Sequence, residues 1–190
     1  CSDLETITIP ASVEELGDYA FGSTGLVTVI LAEGVTEIWD DAFYGCDKLE
    51  SITIPGTVTE IGDRAFYACK NLESIFIPQS VTDLGEYAFS SSGLITVTIE
   101  EGATEIWDDA FYGCDKITTV VMPSTITEIG DRAFYGCKDL ETITIPAAVE
   151  KVGEYAFSST GLETVIISDG ATGIWADTFY GCSDLVSVVI

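Results

Sequence analysis

Carboxylates are the residues of this chain whose number and spacing come nearest to chemistry. They fall in columns: Glu15, Glu37, Glu60, Asp83, Glu105 and Glu128 form one, and Asp18, Asp40, Asp63, Glu86, Asp108, Asp131 and Glu154 another. Successive members of each column are 22 or 23 residues apart. Hard oxygen ligands repeated at such a step could hold a divalent cation between neighbours, and Asp40, Asp63, Asp108 and Asp131 are the candidate ligands for calcium. No aspartate-rich loop of the kind that wraps calcium accompanies them. A solvated acidic rim, with the Asp18 column capping a following helical turn, explains the same columns without a metal. Paired carboxylates also hydrolyse glycosides, but that needs one carboxyl with a raised pKa in a pocket, and a repeated ladder makes its members alike.

Other catalytic constellations are missing. The chain has no histidine, which removes Ser-His-Asp and Cys-His nucleophiles and histidine-bound zinc. No glycine-rich phosphate loop follows a strand. An enzyme is therefore not expected. With 32 acidic against 7 basic residues and a formal charge of −25, there is no basic patch to displace counterions from a nucleic acid. No apolar stretch is long enough to insert into a membrane.

Six cysteines stand at 1, 46, 69, 114, 137 and 182, always in one column. Bridges Cys46–Cys69 and Cys114–Cys137 are conceivable at that spacing. Burial as free thiols suits a column that closes an apolar core, and is the expected state. Tryptophan stands only at 39, 107 and 175, where the other units carry glycine. Each indole could lie over neighbouring glycine backbone, Gly17 and Gly62 in the case of Trp39. Alternatively Trp39, Trp107 and Trp175 form a row of platforms roughly 14 Å apart, able to stack on an extended glycan or a protein.

What must position these residues is a repeat. Units of 22 or 23 residues begin at Leu4, Leu26, Leu49, Leu72, Leu94, Ile117, Leu140, Leu162 and Leu185. A period in the twenties means a solenoid, each coil burying its apolar face against its neighbours. Each unit opens with strand alternation: Leu4, Ile7 and Ile9 on one side, Thr6 and Thr8 on the other. Proline follows at 10, 55, 78, 123 and 146, ending ladder pairing by its missing N–H. Val13, Leu16, Ala20 and Phe21 then recur at three or four residues, the spacing of a short helical or 3₁₀ turn. Phenylalanine holds one column throughout, from Phe21 to Phe179, and reads as a stacked structural spine.

These motifs resemble the BspA-like, or treponemal-type, leucine-rich repeat family. The resemblance is carried by L-x-x-I-x-I-P at 49–55, T-E-I-G-D-R-A-F at 59–66 and the closing Cys69, and it recurs along the whole chain. It implies a right-handed α/β solenoid of eight coils plus a ninth strand, with a parallel sheet on the concave face. It also implies the function class of such proteins: extracellular or cell-surface, non-enzymatic, binding host matrix or other cell-surface proteins. A structural spacer or self-associating array element is the alternative.

A longer period of 68 residues is superimposed, from Leu4 to Leu72 to Leu140. It divides one leucine-rich repeat domain, residues 1–190, into super-repeats 4–71, 72–139 and 140–190. Neither end carries a polar cap, so a fragment of a longer array is expected, with head-to-tail self-association a possible consequence. A partner is expected on the outward face of the strands. There a hydroxyl column (Thr6, Thr28, Ser51, Ser74, Thr96, Thr119) runs beside a varied one (Thr8, Ile30, Thr53, Phe76, Thr98, Val121). Phe76, with Thr53 and Thr98 on either side and Glu50 and Glu73 near it, is the candidate hot spot.

Overall fold

The computed structural model describes residues 3–171 and 177–190 of the chain. Each of the first seven coils contributes one long strand and, after a turn, one short one; the eighth and ninth each contribute a long strand among the described residues. In chain order these are β1 (Thr6–Ile9), β2 (Glu15–Leu16), β3 (Thr28–Leu31), β4 (Glu37–Ile38), β5 (Ser51–Thr53), β6 (Glu60–Ile61), β7 (Ser74–Ile77) and β8 (Asp83–Leu84). They continue as β9 (Thr96–Ile99), β10 (Glu105–Ile106), β11 (Thr119–Val121), β12 (Glu128–Ile129), β13 (Thr142–Ile145), β14 (Lys151–Val152), β15 (Thr164–Ile167) and β16 (Ser187–Val189). All pairings are parallel and join each coil to the next. The repeat thus builds the parallel solenoid that its period predicts.

Two walls of the solenoid are sheets. The long strands form three hydrogen-bonded groups, β1-β3-β5, β7-β9-β11 and β13-β15-β16. The short strands form β2-β4-β6-β8 and β10-β12-β14. Alternation sorts the long strands cleanly: in β7, Ile75 and Ile77 are buried while Ser74 and Phe76 are exposed. This is the period-two face selection expected of a strand with one face packed on a core.

The third wall corrects the sequence reading. Where helical spacing predicts a helical or 3₁₀ turn, the described residues contain no helix. Val13, Leu16, Ala20 and Phe21 are instead followed by overlapping tight turns: Ala20 N–H donates to Gly17 O, Gly22 N–H to Tyr19 O and Thr24 N–H to Phe21 O. The alternate amides leave the coil altogether. Tyr19, Phe21 and Ser23 donate to Asp40, Ala42 and Tyr44 of the next coil. A helix would need those donors for its own carbonyls, so cross-coil bonding and helix are mutually exclusive here. The turns require left-handed backbone twice per coil, at Tyr19 and Ser23 (φ 54° and 55°) and at their counterparts, including Arg64 and Ala68 (φ 53° and 57°).

Between the walls lies one continuous core. The phenylalanine column stacks, from 5.1 Å between the Phe66 and Phe89 ring centroids to 5.8 Å between Phe157 and Phe179. Six rings, Phe43 to Phe157, are fully buried. Ring stacking at this offset adds to the apolar burial of each ring. The five described cysteines are free thiols, buried at 46, 69, 114 and 137. Cys46 and Cys114 each donate to a phenylalanine carbonyl of the preceding coil, Phe21 O and Phe89 O, at 3.0 Å. In the 22-residue coils, which lack the cysteine, a hydroxyl substitutes. Ser92 Oγ lies 3.3 Å from Cys114 Sγ, and Thr160 Oγ1 lies 3.1 Å from Cys182 Sγ. Burial pushes the Cys114 thiol up to about 11 and raises Cys69 and Cys137 as well, so these three sulfurs stay protonated and unreactive in the native state.

Candidate functional site

The outward face of the long strands carries a hydroxyl column beside a column in which threonine and larger apolar residues are mixed. Parallel register sets Phe76 beside Thr98, and Thr98 beside Val121. In the adjoining group Thr8, Ile30 and Thr53 are likewise in line. Phe76 is 49% exposed, with Ile30 at 49% and Val121 at 48%. Phe76 cannot be serving the core, because its neighbours Ile75 and Ile77 already point there. The expected hot-spot residues Phe76, Thr53, Thr98, Glu50 and Glu73 thus lie along one wall.

A break in the sheet runs through the middle of this group. β5 and β7 are adjacent but share no ladder. An open cleft of about 640 Å³ lies there, lined by Glu50, Ser51, Asn71 and Glu73. The two carboxylates therefore flank a recess one column away from Phe76.

The acidic columns have a structural task that sequence alone does not reveal. Asp40 Oδ1 accepts the Asp63 N–H of the next coil at 2.8 Å, and Asp63 Oδ1 accepts the Glu86 N–H at 2.8 Å. The second super-repeat does the same, Asp108 accepting from Asp131 at 2.6 Å and Asp131 from Glu154 at 2.7 Å. Each carboxylate so caps an amide across coils rather than the N-terminus of a helix. The glycine column is its complement. A Cβ on Gly62 would meet the Asp40 carboxylate and amide, and one on Gly130 would meet those of Asp108. Among the described residues no group of three or more Cys, Asp or Glu is placed to hold a metal.

The short-strand acids are neighbours in register, Glu37 beside Glu60 and Glu60 beside Asp83. Burial, then the charges of Glu37, Asp83 and Asp40, raise the Glu60 carboxyl above its ordinary pKa. Burial, then Glu128 and Asp108, raise Glu105 in the same way. Lys151 interrupts the column by pairing with Glu128. Behind them Asp109 is buried and bonded to Arg132 at 2.7 Å; burial outweighs the guanidinium and its carboxyl is also raised.

The tryptophans differ from one another. Trp39 is 38% exposed, its indole N–H donating to Glu37 at 2.9 Å. Trp107 is only 9% exposed and lines a small recess with Gln79, Val81 and Thr82 of the preceding coil. Trp175 lies outside the described residues. The two described rings therefore do not present equal platforms.

One aromatic row has no counterpart in the sequence reading. All eight tyrosines line the turn wall. Tyr44 stacks on Tyr67 at 5.1 Å and Tyr112 on Tyr135 at 4.9 Å, while Tyr87 meets Tyr112 edge-on at 5.9 Å. Tyrosine changes column between the 22- and 23-residue coils, which hides the row from a column-by-column alignment. The signal was the identical D-x-A-F-Y run at 63–67 and 131–135 set against D-Y-A-F at 18–21.

Known proteins agree with this architecture. A family model described as the BspA type leucine rich repeat region, present in 6 copies, matches residues 1–118 and 104–190. A leucine-rich repeat protein from Bacteroides ovatus is similar at 30% identity and TM-score 0.77, over 97% of this chain and 57% of that one. The present chain thus spans little more than half of that protein's length. The leucine-rich repeat protein TpLRR of T. pallidum is similar at 27% identity and TM-score 0.71, over 82% of this chain and 76% of that one. A Eubacterium ventriosum leucine-rich repeat protein shares the fold alone, at 18% identity and TM-score 0.50, over 92% of this chain and 67% of that one. No curated protein matches. With family repeats matched from end to end, this chain belongs to the BspA-type leucine-rich repeat family.

Proposed function

We propose that the chain is a non-enzymatic recognition module of a cell-surface or secreted protein, binding a protein partner on the outward face of its long strands. One observation carries the reading. Phe76 is half exposed and is the one aromatic of its column, on a wall of threonines, serines and scattered aliphatic side chains, with Glu50 and Glu73 lining the adjacent cleft. A large aromatic that contributes nothing to the core loses free energy to water unless something covers it. Aromatic anchors of this kind dominate the energetics of protein interfaces. The surface location rests on the family resemblance.

The test is surface-immobilised binding of the chain to extracellular-matrix proteins and to glycans, with a sizing run in buffer alone. Saturable binding that weakens by more than about 1 kcal/mol in Phe76→Ala, with melting unchanged, supports the reading. Concentration-dependent self-association with no foreign binder would sink it in favour of an array element.

A further inference from the structure

The varied column on the outward face has an order of its own. From the first coil to the eighth it reads Thr8, Ile30, Thr53, Phe76, Thr98, Val121, Thr144 and Ile166. Threonine and a larger apolar residue alternate through these eight coils, a period of two coils; the ninth strand ends it, with Val189 beside Ile166. That period conflicts with the rest of the chain, which repeats every three coils. The segment 39–48 is identical to 107–116, yet Ile30, which precedes the first copy, is replaced by Thr98 before the second. Duplication therefore does not account for the alternation, and the core does not need it, because both residue types face outward.

The result is a row of apolar ridges with threonine valleys between them. Phe76 and Val121 stand two ladder spacings apart within one sheet, or about 9.4–9.8 Å. An extended strand laid across the ridges would bring side chains to one face every ~6.8 Å. A helix offers a matching face every seven residues, ~10.5 Å, and drifts out of step within a few ridges. A polyproline II segment has three residues per turn at ~3.1 Å each, so one face recurs every ~9.3 Å. Its backbone has no internal hydrogen bonds, leaving carbonyls free for the hydroxyls of Ser74, Thr96 and Thr119 in the adjacent column.

Charge selects among such segments. Glu50 and Glu73 line the cleft at the leading end of β7, Glu100 and Glu101 follow the far end of β9, and the chain as a whole carries −25. Lys48, Lys70, Lys116 and Lys138 stand in the closing turns that precede the long strands. The geometry points to a proline-rich, basic peptide segment in the polyproline II conformation as the partner, lying across the strands with every third residue between ridges. Proline-rich segments dock on exposed aromatics elsewhere for the same reason: they arrive already ordered. This inference rests on the sheet-face reading above and names the chemistry of its partner.

The experiment uses labelled peptides of equal length and charge titrated into the whole chain. One is made of Pro-Pro-Lys triplets, one alternates Val and Lys, and one is an Ala-Lys helix former. Amide shifts map where each binds. Saturable binding of the proline peptide alone, with shifts in β3, β7 and β11, is expected. Replacing Ile30, Phe76 and Val121 together by threonine, the residue this column already carries in alternate coils, should weaken it at least about tenfold without lowering the melting temperature. Thr98→Val sharpens the test: filling one valley should also weaken the proline peptide severalfold. If Thr98→Val strengthens binding, the face is merely sticky and the spacing argument is overturned. If the Val-Lys or helical peptide binds these strands and the proline peptide does not, the conformational assignment is wrong while the sheet-face reading survives. If no peptide shifts these strands, or all of them map to the acidic short strands, this inference fails. Loss of the matrix-protein binding described above in the threonine variant would then still separate the two.

Discussion

Phe66 and Phe76 stand ten residues apart in successive coils and do opposite things. Phe66 is wholly buried between Phe43 and Phe89, its column unbroken through the chain. Phe76 lies half exposed in a column that changes from coil to coil. The turn wall is constrained by its neighbours at nearly every position: a stacked ring, a carboxylate on the next amide, a glycine where a Cβ would strike that carboxylate. The outward face of the sheet is bonded through backbone alone, so its side chains are free to vary. Invariance along a solenoid marks what one coil demands of the next, and variation marks what is available to a ligand.

Truncation gives the largest expected contrast. Phe66→Ala should cost about 3–5 kcal/mol in denaturant unfolding, as an aromatic lost from a filled core does. Phe76→Ala should stay within about 0.5 kcal/mol, as for a surface substitution. Equal losses would erase the distinction between the two walls. Gly62→Ala comes next: its Cβ would meet the Asp40 carboxylate and amide, whereas one on Gly17 meets nothing within 4 Å. The expected loss is about 1–3 kcal/mol at Gly62 and close to none at Gly17; a neutral Gly62→Ala would mean that the coils are not locked through the aspartate column.

Acidity separates the walls more gently. Glu60, Glu105 and Asp109 all have raised pKa values in the folded chain. The native state therefore holds protons that the unfolded state has released, and the slope of stability against pH is negative there. Stability should rise as pH falls from neutral through those raised values, with the full gain present below the ordinary carboxylate range. A melting temperature that falls steadily over the same interval would contradict this. The smallest effect expected is a gain. Ala68 sits at φ 57° where Gly45, Gly113 and Gly136 stand in other coils. Ala68→Gly should relieve about 1 kcal/mol of left-handed strain, partly offset by the freer unfolded glycine, and raise melting by a degree or two. A marked loss would show that the Ala68 methyl packs.

How far the sequence speaks follows from the same contrast. Strands, spine and thiol column were legible because each repeats one residue type at one position, as Phe43, Phe66 and Phe89 do. The turn wall was not. Its left-handed positions are held by Tyr19, Asp41 and Arg64, and neither tyrosine nor arginine signals positive φ; the glycines at 45, 113, 136 and 181 hint at it only for the second left-handed position of the coil. Three- and four-residue spacing is shared by a helix and by a run of tight turns, so Val13, Leu16 and Ala20 could not tell them apart. The role of Asp40 depends on an amide in another coil, which no local pattern contains. On the sheet face, Phe76 was legible by parity alone, but the cleft beside it comes from a missing ladder between β5 and β7, for which no residue type is a marker.

Those missing ladders have a mechanical meaning. Between the third and fourth coils the long strands are unbonded, yet the short strands β6 and β8 are joined and Phe66 N–H still reaches Ala88 O. Between the fourth and fifth the pattern reverses: β8 and β10 part while β7 and β9 hold. The joints are staggered, like courses of brick, so among the described residues neither boundary cuts through every wall at once. A rod jointed in this way flexes locally under load without offering a plane along which to shear, and the weak courses of one wall are bridged by the sound ones of the next.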